Sequence, residues 1–184
     1  MIRTLWDLIA SKPEPKPRRV RRTSRAAPRP DAAPRRDGPM AARYRSMQRE
    51  MLARYGVRVR KWRTSMSGVA WQVTYKDGTM ARLIESPQPR GPMSAAVFLH
   101  EIGHHAIGFN RYSPRCLEEY HAWRFAIEAM QERGLNVTNA VLKRRHESLR
   151  YAIDKAVRRG LRRLPEELEP FLEPFEPPAH RQAG

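Results

Sequence analysis

Between Ala41 and Gly56 the apolar residues Tyr44, Met47, Met51 and Leu52 recur at helical intervals, which predicts a first helix closed by the glycine. The pattern then changes period. Val57 to Trp62 and Trp71 to Tyr75 alternate apolar with polar positions and are rich in branched and aromatic residues. Lys76-Asp77-Gly78-Thr79 reads as a two-residue hairpin turn leading into Met80 to Ile84, so a small antiparallel sheet is expected. Pro87, Pro89 and Pro92 end that strand, and Pro92 suits the first turn of a helix running to about Gly108. In this helix Ala95, Leu99, Ile102, Ala106 and Phe109 form a core-facing stripe. His100 and His104 then lie on a neighbouring face beside Met93, Val97 and Ile107. Leu117 to Met130 reads as a further helix closed near Gly134, and Val141 to Leu161 as the last. That last helix should turn Leu142, Leu149, Ile153, Ala156, Val157 and Leu161 inward, and Lys143, Arg144, Arg145, Arg150, Arg158, Arg159, Arg162 and Arg163 outward. The expected class is α+β, a small antiparallel sheet packed against an active-site helix and further helices.

The two ends have no such pattern. Residues 1–40 are dominated from Ser11 onward by Pro, Arg, Ala and Ser, with too little apolar surface to offset the entropy of ordering. They read as a disordered basic arm, and the Ile2, Leu5, Trp6, Ile9 stripe as a short helix that forms against a partner. Residues 165–184 read as an acidic, Pro-punctuated tail carrying Glu166, Glu167, Glu169, Glu173 and Glu176. Residues 41–164 remain as one domain, since 184 residues with 40% hydrophobic side chains support a single modest core. A net charge of +17 predicts attraction to an anion: nucleic acid, an acidic protein or a membrane surface. The single cysteine, Cys116, excludes an internal disulfide and suits a reducing compartment. No apolar run is long enough to cross a bilayer, and the start reads as no export signal, so a cytoplasmic location is expected.

Chemistry concentrates in His100-Glu101-Ile102-Gly103-His104. Two histidines four apart on a helix stand one turn above each other, with ring nitrogens able to converge on one ion. Glu101 falls roughly 100° around the helix from His100. There it stands beside the metal without ligating it, where it can act as general base toward water. A catalytic site of this type needs a third protein ligand. The following helix offers Glu118, Glu119 and His121, of which Glu119 is the first choice and Glu118 the alternative. His105 and His121 read as hydrogen-bonded or surface histidines, and Cys116 as a small buried residue. Two imidazoles and a carboxylate suit Zn²⁺, and the reaction class is metal-assisted hydrolysis. Met80 to Glu85 is the candidate edge strand for aligning an extended peptide, and Tyr112, His146 and Tyr151 are candidate oxyanion donors.

On these residues the chain resembles the gluzincin metallopeptidases, and specifically the ImmA/IrrE family, with its His-Glu-x-Gly-His helix followed by Glu-x-x-Ala-Asn-x-Phe-Ala. Here the second motif reads Glu119-Tyr120-His121-Ala122-Trp123-Arg124-Phe125-Ala126, with Trp123 in place of the Asn. The resemblance covers roughly Ala41 to Met130. It implies a zinc ligand at Glu119, a small sheet packed on helices, and a protein or peptide substrate. A metzincin pattern is excluded, because its third histidine falls at Asn110 and its glycine at Ile107. The expected function is a zinc metallopeptidase with Glu101 as general base. The alternative is a nucleic-acid-binding protein that uses the arm and the 141–161 helix, with a structural metal site or none. An acidic tail folded back to mask that helix is a further expectation.

Overall fold

The structure, a computed structural model, describes residues 38–178; nearly all of the expected arm and the last six residues lie outside the described residues. Its elements in chain order are α1 (Pro39–Tyr55), β1 (Val57–Arg63), β2 (Val69–Thr74), β3 (Met80–Pro87), α2 (Pro92–Ile107), α3 (Arg115–Glu132), α4 (Asn139–Arg158) and a 3-10 helix (Glu166–Phe171). The class is α+β, with a small three-stranded sheet and several helices.

Local chemistry sets the element ends. Gly56 stops α1 by adopting φ 61°, a left-handed conformation that costs glycine little, and its N–H returns to the carbonyl of Ala53. Pro92 opens α2, and the Ser94 hydroxyl reaches back to accept from the N–H groups of Arg90 (3.0 Å) and Gly91 (3.1 Å). The Thr138 hydroxyl caps α4 by accepting from the Val141 N–H at 3.3 Å. The hairpin between β2 and β3 is wider than the expected two-residue turn. The Tyr75 N–H donates to the Thr79 carbonyl at 2.8 Å, enclosing Lys76, Asp77 and Gly78.

The sheet order is β1-β3-β2, with β2 antiparallel and β1 parallel to β3. The sheet is therefore mixed, where an antiparallel one was expected. The reason lies in β3, whose second half, Ile84 to Pro87, is the most deeply covered stretch of strand and takes the centre. Being paired on both sides, β3 has no free edge for a substrate; the edges are β1 and β2. The connection from β1 to β2 must also pass the end of β3, and this crossing carries Gly68 against Glu101 of α2.

Helix α2 packs against β3, α1 and α3 at once. Every residue from Ser94 to His105 is buried, so the expected one-sided stripe gives way to burial on all faces. Phe109 lies beyond the helix and stacks on the His104 ring. On α4, Val141, Leu149 and Ile153 are buried, while Val157, expected inward, is exposed near the helix end. Arg144 and Arg145, expected outward, are half-buried. The Arg145 guanidinium lies 5.2 Å from the Phe171 ring centroid and 5.8 Å from that of Tyr120, a cation–π arrangement.

The first part of the acidic segment packs on this core. Leu168 is fully buried, Phe171 meets Tyr120 and His146 edge-on or tilted, and Arg150 donates to the Leu172 carbonyl. Among the described residues no ion pair joins its glutamates to α4. The segment is seated by apolar contact, the Arg145–Phe171 cation–π contact and the Arg150 bond to the Leu172 carbonyl, and not by ion pairs of its glutamates.

Candidate metal centre

Two small residues set the distance between α2 and α3. A Cβ on Gly103 would stand 2.7 Å from the Ala122 carbonyl oxygen and 3.1 Å from its Cα, so only glycine permits the helices to approach this closely. At that separation Glu119 of α3 reaches both histidines of α2. Its Oε2 lies 3.4 Å from His100 Nε2 and 3.6 Å from His104 Nε2. One ligand atom from each of His100, His104 and Glu119 falls within 4.8 Å of the others, and this group could hold a metal ion.

The neighbours hold these three in place. Trp123 stacks on His100 at 4.5 Å between centroids, and Phe109 lies nearly parallel to His104 at 6.1 Å. Trp123 is thus a wall of the site. Glu118, the alternative ligand, sits one layer out and is almost wholly buried. Its Oε2 accepts from the Asn110 N–H at 2.8 Å, while Oε1 faces His104 Nδ1 at 3.5 Å. Neither facing atom makes a hydrogen bond elsewhere, so this contact, long for a full hydrogen bond, is the one open to both. A carboxylate behind a ligand histidine fixes the ring and raises its basicity.

Protonation follows the same geometry. Burial lowers His100 below its ordinary value and favours a neutral ring. Burial opposes charge on His104 too, but the carboxylates of Glu118 and Glu119 outweigh it and lift the ring to about 9. Glu119 is held ionised, well below the usual carboxylate range: burial works the other way and is overcome by the two imidazoles. The carboxylates of Glu118 and Glu119 thus favour positive charge at His104, and a bound cation would compete with a proton there.

Glu101 stands at the edge of this group. Burial pushes its carboxyl up to about 7, against the pull of His104. Its position depends on a residue that the sequence reading passed over: a Cβ on Gly68 would lie 2.4 Å from Glu101 Oε1 and 2.5 Å from its Cγ. The loop carrying Gly68 is tied down on both sides. Arg63 donates to Ser67 Oγ (3.2 Å) and to Glu85 (3.1 Å), and Arg144 donates to the Met66 carbonyl (3.2 Å). A glycine at the mouth of a strand is the sole sequence signal for such an approach.

The other histidines and the cysteine stand apart from the group. His105 Nε2 lies 3.1 Å from the Leu83 carbonyl and ties α2 to the sheet. His121 stacks on Tyr112 at 3.8 Å, and His146 packs on Phe171 and Phe175. Cys116 is buried, which raises its thiol above the ordinary value. Of the three oxyanion candidates only Tyr151 lines the cleft over the site, a cavity of about 770 Å³ reached by His100, Glu101 and Glu119 from one side and by Arg144 from α4.

No family model, curated protein or solved structure matches the chain. Among the described residues, no helix is long and apolar enough to cross a membrane.

Proposed function

We propose that this chain is a zinc-dependent peptidase in which His100, His104 and Glu119 hold the metal and Glu101 is the general base. The observation that carries the reading is the convergence of the three donor atoms beside a separate, buried carboxylate at the floor of an open cleft. Zinc is the ion the donor set favours. Bonds of roughly 2.0–2.1 Å at tetrahedral angles separate ligand atoms by roughly 3.3–3.5 Å. Glu119 Oε2 stands at that spacing from His100 Nε2, 3.4 Å, and slightly beyond it from His104 Nε2, 3.6 Å, within a group whose ligand atoms lie no more than 4.8 Å apart. When bound, the ion supplies Lewis acidity toward water and a substrate carbonyl.

The protein's own groups supply the rest. Glu101, poised near neutrality and pressed against Gly68, takes a proton from the attacking water and returns it to the leaving amine. Glu118 holds the His104 ring from behind and Trp123 holds His100. Arg144 is the α4 cation that influences His100, and it brings positive charge to the side of the cleft where an oxyanion develops. With β3 closed on both sides, β2 is the edge that can align an extended peptide, since Val69 and Ala70 border the small recess beside His104. The resemblance of residues 100–104 and 119–126 to the ImmA/IrrE family supports the same chemistry.

The nucleic-acid reading keeps the +17 charge in its favour, and predicts an affinity that falls steeply with salt. It gives the three-ligand group at most a structural role and leaves the buried Glu101 without one, and ranks second. The deciding experiment is digestion of a mixed peptide library by the full chain, zinc-loaded and chelator-stripped. Cleavage that is lost on stripping and restored by zinc supports the peptidase; zinc-loaded protein that cleaves nothing removes it.

A further inference from the structure

The cleft has two unlike sides. Its floor carries the acidic groups Glu101 and Glu119, with Arg115 3.9 Å from Glu119 at the edge, whereas one face of α4 lines the cleft with Arg144, Tyr151, Lys155 and Arg159. Two other cations of α4 find a carboxylate one turn away: Lys143 lies 3.8 Å from Glu147, and Arg150 lies 3.5 Å from Asp154; Arg144 and Arg145 are engaged by the Met66 carbonyl and by aromatic rings. Glu147 also borders the cleft but is engaged by Lys143. Lys155 and Arg159 are exposed and form no ion pair among the described residues. They stand four apart on one helical face, where like charges repel by a few tenths of a kcal/mol. The carboxyl end of a helix favours cations in general, yet Arg158 has that benefit without lining the cleft. The alignment of Lys155 and Arg159 with the cleft is left for a ligand to explain.

We infer that this wall selects acidic peptides, with carboxylate side chains of the substrate seated on Lys155 and Arg159; the inference rests on the peptidase reading of the floor. The spacing gives a register. Lys155 and Arg159 follow Arg144 along α4 by roughly 16 and 22 Å at the helical rise. An extended chain advancing about 3.3 Å per residue covers this in about five to seven residues. Acidic residues at that distance from the scissile bond therefore meet the two cations while Arg144 stays beside the metal group. A cavity of about 770 Å³ with acidic groups on its floor suits a peptide strand. A nucleic acid would bring phosphates against Glu101 and Glu119.

The test uses the full chain as the zinc-loaded Glu101→Gln variant, whose turnover is expected to be slow enough to leave the probes intact during the measurement. Three labelled probes are compared by anisotropy: a peptide with paired glutamates about six residues from its centre, the same peptide with glutamines, and a single-stranded oligonucleotide of equal charge. The glutamate peptide is expected to bind about tenfold more tightly than the glutamine peptide. Adding Lys155→Glu with Arg159→Glu should abolish the preference, and adding Arg158→Glu on the outer face should preserve it. Equal binding of the two peptides, equal loss on reversing Arg158, or tighter oligonucleotide binding lost through Lys155 and Arg159 would overturn the inference. Turnover by the parent chain separates this from the peptidase reading. Zinc-dependent cleavage indifferent to glutamate overturns the acidic selectivity alone. Glutamate preference in a chain that holds no zinc supports the wall and removes the peptidase.

Discussion

Helices α1 and α2 are nearly equal in length, 17 and 16 residues, and differ in what they bury. Helix α1 buries only Tyr44, Met47 and Met51 and leaves its arginines in water, as an amphipathic surface helix does. Helix α2 is covered on every face from Ser94 to His105, and His100, Glu101, His104 and His105 go in with it. Burying ionisable groups is unfavourable unless something compensates. For His105 the compensation is a backbone carbonyl; for His100 and His104 it is Glu119 of α3 and the means to hold a cation; for Glu101 the pull of His104 offsets only part of the burial. Polarity that enters a core is informative in a way that polarity left on a surface is not.

That contrast can be broken or sharpened by mutation, and the largest effect belongs to Glu101. Glu101→Gln should lower peptide turnover by about 10²–10⁴, the usual share of a general base, with zinc content unchanged; full activity in the variant would end the assignment. Gly68→Ala comes next. Its Cβ would displace the Glu101 carboxylate, and a misplacement of that size costs on the order of 10² in turnover. Zinc should stay bound, so metal analysis beside kinetics separates displacement from unfolding. On α1 the outcome should be of another kind: Met51→Ala is expected to cost about 2–5 kcal/mol of stability by leaving a cavity, seen in chemical denaturation, with zinc affinity retained. Glu118→Gln should weaken zinc about 10–100-fold by loosening the ring of His104, measured by competition with a chelator. Smallest is Arg49→Ala on the exposed face of α1, expected within about 0.5 kcal/mol of the parent.

What the sequence made legible was local. His100, Glu101 and His104 share one helix, so their relative placement follows from 3.6 residues per turn. Glu119 needed only the next helix and a short connection. Two helix limits were legible for similar reasons, since Gly56 and Pro92 act on their own backbones; the last helix, expected over Val141 to Leu161, instead starts at Asn139 under the Thr138 cap and ends at Arg158. Gly68 and Arg144 were not legible, because each reaches the site through a contact distant in the chain: Gly68 by the crossing past β3, Arg144 by the packing of α4 across the cleft. The sheet order escaped for the same reason. Alternation marks a strand without naming its neighbour, and the burial of β3 from Ile84 onward, which puts it in the centre, depends on α2 covering it. The basic helix misled in a third way. Charge was read as outward, whereas Arg144 and Arg145 lay their long stems along the core and keep their cationic heads at a cleft and an aromatic pair.

Metal content decides most directly whether α2 and α3 close around an ion. The full chain, purified under metal-replete conditions and dialysed, should retain about one equivalent of zinc. Glu101→Gln should match it, and His100→Ala, His104→Ala and Glu119→Ala should each lose it while remaining folded by circular dichroism. A parent chain without zinc, or undiminished zinc in folded variants lacking those side chains, would contradict the proposed centre.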